Sequence, residues 1–220
     1  MTSCKLGLVF FIFVFFALQC SDNSGPSNSG NGLTWAPQPA GIRWTYREIG
    51  TQSTFSIVTE HVDEKIGNYA VYRLRRSDSP PGLGNYIGYE QGIGEVWVAS
   101  DSWDPTNPAD NVREVFQNPT PVRPCPHGML AGTTVAVIGD GGPDNRVEYT
   151  VLVYEPVSVP YGTFQQAQKL LVEYFVGGVV DNDNMIPTYQ WQDETIGLLK
   201  EIPVTPTDEL GIELIGYYHP

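Results

Sequence analysis

"FQQAQKLLVEYF", residues 164–175, reads either as a helix or as a strand, and the fold class turns on which it is. Gln165 to Leu171 are good helix formers. The far end points the other way, because Val172, Tyr174 and Phe175 suit a pleated surface. The flanks weigh on the same side. Val-Pro-Tyr-Gly-Thr (159–163) precedes the run and Val-Gly-Gly (176–178) follows it, so turn chemistry bounds a strand over 163–176.

The pattern spreads outward from there with a period of two. RVEYTVLVYEPVSV (146–159) is the neighbouring strand, and GDGGPDN (139–145) before it is a hairpin signal, since Gly and Asn accept positive φ. In IRWTYRE (42–48), Ile42, Trp44 and Tyr46 fall on one face while Arg43, Thr45 and Arg47 fall on the other, as a half-buried antiparallel strand requires. TFSIVTEHV (54–62) and NYAVYRLRR (68–76) complete an opening meander. Further strands are predicted over 85–91, 94–99, 132–138, 188–192, 195–202 and 210–218. PTNPADN (105–111) and NPTPVRPCPHG (118–128) are proline-laden and read as loops, giving one long loop from Ser100 to Met129 that lines or covers an opening. The expected fold is all-β: an antiparallel meander forming an open or half β-barrel, with a sandwich as the alternative.

The N-terminus carries its own information. Gly7 to Leu18 is an apolar run of 12 residues, whereas a spanning helix needs about 20. With Lys5 ahead of it and no acid before Asp22, it has the form of an export signal over residues 1–19. Ala17-Leu18-Gln19-Cys20 resembles the lipobox of bacterial lipoproteins, in which the cysteine receives a diacylglyceryl group; the other reading is a secreted protein cut nearby. Residues 21–32, SDNSGPSNSGNG, hold no large apolar side chain and cannot offset their ordering entropy by burial. Residues 20–32 are therefore expected to be a lipidated tether and 33–220 a single β-rich domain. The resemblance implies membrane attachment through Cys20, at the outer membrane if Ser21 and Asp22 act as sorting signals.

Loss of residues 1–19 removes Lys5 and no acid, leaving 11 Lys+Arg against 25 Asp+Glu, a formal charge of −14. Such a chain repels phosphate polymers, which argues against nucleic acid as a partner. With Cys4 removed and Cys20 acylated, Cys125 is left as a lone thiol with no disulfide partner.

GIRWTYR (41–47), VSVPYGTFQQAQKL (157–170) and IGLLKEI (196–202) together resemble a group of bacterial extracytoplasmic lipoproteins of unknown function, marked by Gly-x-x-Trp-x-Tyr, Val-Pro-x-Gly-Thr-Phe and Gly-Leu-x-Lys. The resemblance implies consecutive antiparallel strands, similar to the half-barrels of lipoprotein-carrier domains that hold acyl chains in an apolar concavity. A non-enzymatic module binding a lipid, another apolar ligand or an envelope partner is then expected. The alternative is a glycan-binding or glycan-cleaving module, for which Trp97, Trp103 and Trp191, near loops, are the candidate ligand-contacting rings.

Other chemistry is poorly supplied. Cys125 and His127 are close enough for a thiol nucleophile, but Pro124 and Pro126 fix the chain and no third orienting group is apparent, so no catalytic residue is assigned. His61, His127 and His219 lack zinc spacing. DNDN (181–184) fails as an EF-hand, because Ile186 and Gln192 occupy the places of the required Gly and Glu. A looser calcium site on Asp181 and Asp183, with Asp140 or Asp144, is the metal candidate. GLGNYIG (82–88) misses the dinucleotide spacing, and no cofactor is expected.

Overall fold

The structure, a computed structural model, describes residues 39–220 apart from 81–82, 92, 102–111, 123, 126, 139–141, 182–184 and 206–210. Among the described residues there is no helix. Strands β1 (Arg43–Glu48), β2 (Thr54–Ile66), β3 (Tyr69–Arg76), β4 (Asn85–Glu90), β5 (Gly94–Asp101) and β6 (Arg113–Pro121) form the first half. β7 (Thr134–Ile138), β8 (Arg146–Val159), β9 (Gly162–Val176), β10 (Val179–Val180), β11 (Thr188–Asp193), β12 (Gly197–Pro203) and β13 (Ile212–Tyr218) form the second. All belong to one open antiparallel sheet in the order β6-β5-β4-β3-β2-β1-β13-β12-β11-β9-β8-β7, with β10 beside β9. The meander is thus observed, and residues 164–175 are strand.

Each half is a run of neighbours in sequence, and β1 and β13 are the seam between them, from Arg43 opposite Tyr218 to Glu48 opposite Ile212. The β8–β9 hairpin turns on two residues, Pro160 and Tyr161, between the paired Val159 and Gly162. Pro160 presets φ for that turn. Its tip folds back onto the seam, where the Tyr161 N–H donates to the Leu214 carbonyl at 3.2 Å.

The sheet curls so that residues far apart along it share one core. Trp44, Tyr46, Phe55, Ile57, Tyr72, Leu74 and Trp97 from the first half pack with Tyr149, Val151, Leu170, Val172, Leu198, Ile212 and Leu214 from the second. These side chains define an inner face. On the outer face of the first half a smaller core gathers Ile66, Val71, Tyr86, Val96, Val98 and Ala99. There Gly88 lets two strands approach, since a Cβ at that position would lie 2.9 Å from both Tyr69 Cβ and Val98 Cγ2.

One prediction needs correcting. Residues 113–121, placed in the long loop, form β6 despite Pro119 and Pro121. The reason is position: β6 is the edge of the sheet, where a missing N–H costs no ladder bond. The segment after it runs against the β8–β9 hairpin. Its Cys125 thiol donates to the Tyr149 carbonyl at 3.5 Å, and the Tyr154 hydroxyl donates to Met129 O at 2.9 Å while accepting from Gly128 N at 2.8 Å.

Candidate functional site

The residues singled out in the sequence scatter. Cys20, Trp103, Asp140 and Asp183 lie outside the described residues. Trp97 is 4% exposed and belongs to the inner core, so it presents no bare ring. Asp181 donates its N–H to the Tyr174 carbonyl, and Asp144 lies beside Gly178 at the neighbouring β9–β10 turn. Among the described residues no three His, Cys, Asp or Glu side chains gather as a metal site would need. Cys125 is buried, and burial pushes its thiol up to about 11, the opposite of an activated nucleophile. His127 faces the Gln166 carbonyl at 3.0 Å rather than the thiol.

Two features did not stand out in the sequence. The first is a polar ladder on the inner face. Gln190 lies opposite Leu170 on β9 and Glu201 on β12, and Glu201 lies opposite Ile212. Cross-strand partners share a face, so these polar groups point into the core side. Gln190 is 0% exposed. It donates to Glu201 Oε2 at 2.6 Å and accepts from Gln192 Nε2 at 3.1 Å. Gln168 donates to the Tyr154 hydroxyl at 3.1 Å. Burial first and the Glu201 carboxylate second raise the Tyr46 and Tyr174 phenols, which places that charge among the inner aromatics. A buried amide must be hydrogen-bonded, and this ladder meets that need internally.

The second feature is on the opposite face. Arg47 pairs in register with Glu213, Glu213 with Lys200, Lys200 with Trp191, and Trp191 with Lys169. One lateral row therefore runs across β1, β13, β12, β11 and β9. Trp191 sits between two ammonium groups, Lys169 at 4.7 Å and Lys200 at 5.7 Å from its ring centre. Tyr189 meets it edge-to-face at 6.4 Å, with Lys169 also 5.1 Å from the Tyr189 ring. Glu155 fastens the arrangement, accepting from Trp191 Nε1 at 2.8 Å and pairing with Lys169 Nζ at 3.3 Å. The indole hydrogen bond, the largest effect, together with Lys169 holds the Glu155 carboxyl below its ordinary range against the opposing effect of burial.

Trp191 is 7% exposed and, like Trp97, packs in the main hydrophobic core cluster, so it too presents no bare ring. Lysines 169 and 200 are two strand spacings apart, about 10 Å at the backbone.

A scan against protein-family models finds no match for this chain, and a search of curated proteins finds none either. Among solved structures, the chain is similar to a candidate lipoprotein of Parabacteroides distasonis ATCC 8503, with 12% identity and a TM-score of 0.34, over 83% of this chain and 97% of that one.

Proposed function

We propose that this chain is a lipid-anchored cell-envelope protein, held at the membrane through Cys20, that binds an envelope glycan on the outer face of its sheet. The N-terminal sequence supports the anchor and its envelope location. The observation that carries the binding reading is the row of Lys169, Trp191 and Lys200 across β9, β11 and β12, with both ammonium groups near the indole. The inner face supports it indirectly, because the chain's own Trp44, Tyr46, Tyr72 and Tyr149 fill the space where an apolar ligand would lie. A binding screen of the full-length protein against envelope and environmental polysaccharides, repeated with Trp191→Ala, tests the reading; uniform silence would sink it. Cys20→Ser tests the anchor and should move the protein from the membrane to the soluble fraction.

A second reading has its own observation. The ladder of Gln168, Gln190, Gln192 and Glu201 on an otherwise apolar face suits the polar group of an amphiphile, admitted by displacement of the segment at 124–130. Native mass spectrometry before and after organic extraction distinguishes the two. A removable adduct of lipid mass favours the inner face, and a clean apo mass favours the outer one.

A further inference from the structure

We infer that the free edge of β7 takes up an extended segment of another polypeptide as an added strand, one in which cationic residues alternate with apolar ones. This edge lies three strands from the one that carries Trp191, and the inference does not rest on the glycan reading.

The sheet has two margins, β6 and β7, and they differ in sequence. β6 carries Pro119 and Pro121 together with the charged Arg113 and Glu114, features that discourage a further strand. β7 is Thr134-Val135-Ala136-Val137-Ile138, with neither proline nor charge. Its ladder shows which backbone groups are spare. Gly132 N donates to the Val151 carbonyl at 2.7 Å, and Val151 N to the Thr133 carbonyl at 2.9 Å. Hydrogen-bonded pairs alternate along an antiparallel ladder, so the next ones are Val135 with Tyr149 and Val137 with Val147. Thr134, Ala136 and Ile138 then aim their N–H and C=O groups away from β8, where no strand meets them among the described residues.

The side chains divide in the same way. Thr134, Ala136 and Ile138 are exposed, whereas Val135 and Val137 pack on the main core. Cross-strand neighbours share a face. An added strand would set apolar side chains beside Val135 and Val137, extending the core, and turn its alternate side chains outward beside Ala136.

The charge of those outward residues follows from what lies behind Ala136. Ala136 is opposite Glu148, and Glu148 is opposite Glu173. Like charges directly opposite destabilise a sheet. Arg146 answers Glu148 at 2.6 Å, but Glu173 forms no ion pair among the described residues. A Lys or Arg set beside Ala136 would start about 10 Å from Glu148 at the backbone, within reach of a long arm laid across the small alanine. A second copy of this chain fits less well. Pairing β7 with itself would place another Ala136 there, leave the acids unanswered and bring together two chains of formal charge −13. A five-residue edge is also short for the roughly 1,200 Å² that a stable pair buries.

The test is binding of the full-length protein in detergent micelles to a fluorescent peptide, Thr-Val-Lys-Val-Lys-Val-Thr. Two further peptides are measured beside it, one with Glu for Lys and one methylated at the lysine backbone nitrogens. Saturable binding of the first is expected, at least about tenfold tighter than of either other peptide. Ala136→Pro should abolish it, since that N–H faces away from β8 and a proline is tolerated on such an edge. Glu173→Gln should weaken it about two- to fivefold. The methylated peptide keeps the test readable if Ala136→Pro does not fold, because the protein is then unaltered. Equal binding of the methylated peptide, or binding unchanged in a folded Ala136→Pro, marks simple charge attraction and overturns the site. Equal binding of the Glu peptide overturns the cationic assignment. Silence toward all three peptides, or a dimer that excludes them and is lost in Ala136→Pro, overturns the inference.

Discussion

Tyr46 donates its hydroxyl to the Leu198 carbonyl at 2.9 Å, across 152 residues of sequence. Two residues earlier, Trp44 Nε1 makes the same kind of bond to the Ile196 carbonyl at 2.9 Å. The first strand thus holds the β11–β12 hairpin across the interior, through two fully buried aromatics. Removing either donor leaves a carbonyl without that partner. Tyr46→Phe should cost about 1–3 kcal/mol, and Trp44→Ala about 3–5 kcal/mol, read from urea denaturation midpoints at unchanged slope.

Asp101 anchors the outer rim of the first half. Its side chain, 4% exposed, accepts from Tyr86 OH and Arg113 Nε at 2.8 Å each, and from Gly84 N at 3.2 Å. Arg113 also lies over the Tyr86 ring at 4.0 Å. Breaking a buried pair costs about 3–5 kcal/mol, but the exposed guanidinium reduces that to about 1–3 kcal/mol for Asp101→Asn. Arg113→Met should cost at least as much, since it leaves the buried carboxylate without its cation. Thermal denaturation of both variants checks the order.

Gly88→Ala probes close packing rather than backbone freedom. The added Cβ would meet Tyr69 and Val98 at 2.9 Å, and overpacking of this kind costs about 1–3 kcal/mol. A melting temperature equal to that of the parent would show that the β3–β5 outer core is looser than described.

Cys125 should be inert in the folded protein. With its thiol pushed up to about 11 by burial, the thiolate is scarce near neutral pH. Labelling with a thiol reagent should be slow without denaturant and rapid in urea. Fast native labelling would mean that the segment at 124–130 opens readily.

Acid should loosen two outer-face clusters. Burial pushes Glu60 up, but hydrogen bonds from Arg75 and Arg73 outweigh it and hold the carboxyl below its ordinary value. Glu155 is lowered too. A group depressed in the folded state contributes stability that is complete above its unfolded pKa, about 4.3, and is lost as pH falls through the folded value. Urea midpoints measured downward from about pH 5 should fall more steeply for the parent than for Glu155→Gln.

Much of the fold was legible because strand alternation is local. Ile42, Trp44 and Tyr46 marked an inner face before any partner was known, and Val172, Tyr174 and Phe175 outweighed the helix-forming residues before them. β6 was hidden by its prolines, which forbid a central strand but not an edge. The outer row was not legible, since Arg47, Lys169 and Lys200 become neighbours only through the β1–β13 seam and the β9–β11 pairing. A trace of the inner ladder was present in Thr-Tyr-Gln-Trp-Gln-Asp (188–193), where Gln190 and Gln192 alternate with Trp191. An amide pair in such a strand lies on the face opposite the ring, as Gln190 and Gln192 do here.

The seam has a topological meaning. Joining the end of β13 to the start of β1 with a short loop, and cutting the chain between β6 and β7, would turn the fold into an uninterrupted up-and-down meander. The native chain is that meander circularly permuted, with its new ends in the middle of the sheet and its old ends at the two edges. Nearly all strand pairings are therefore between sequence neighbours, and a single long-range closure carries most of the loop entropy of folding. A permutant opened between residues 122 and 133 would avoid that closure and should reach the native sheet faster. A force applied on the N-terminal side of β1 would enter at a strand flanked on both sides, so it would load the middle of the sheet before either margin.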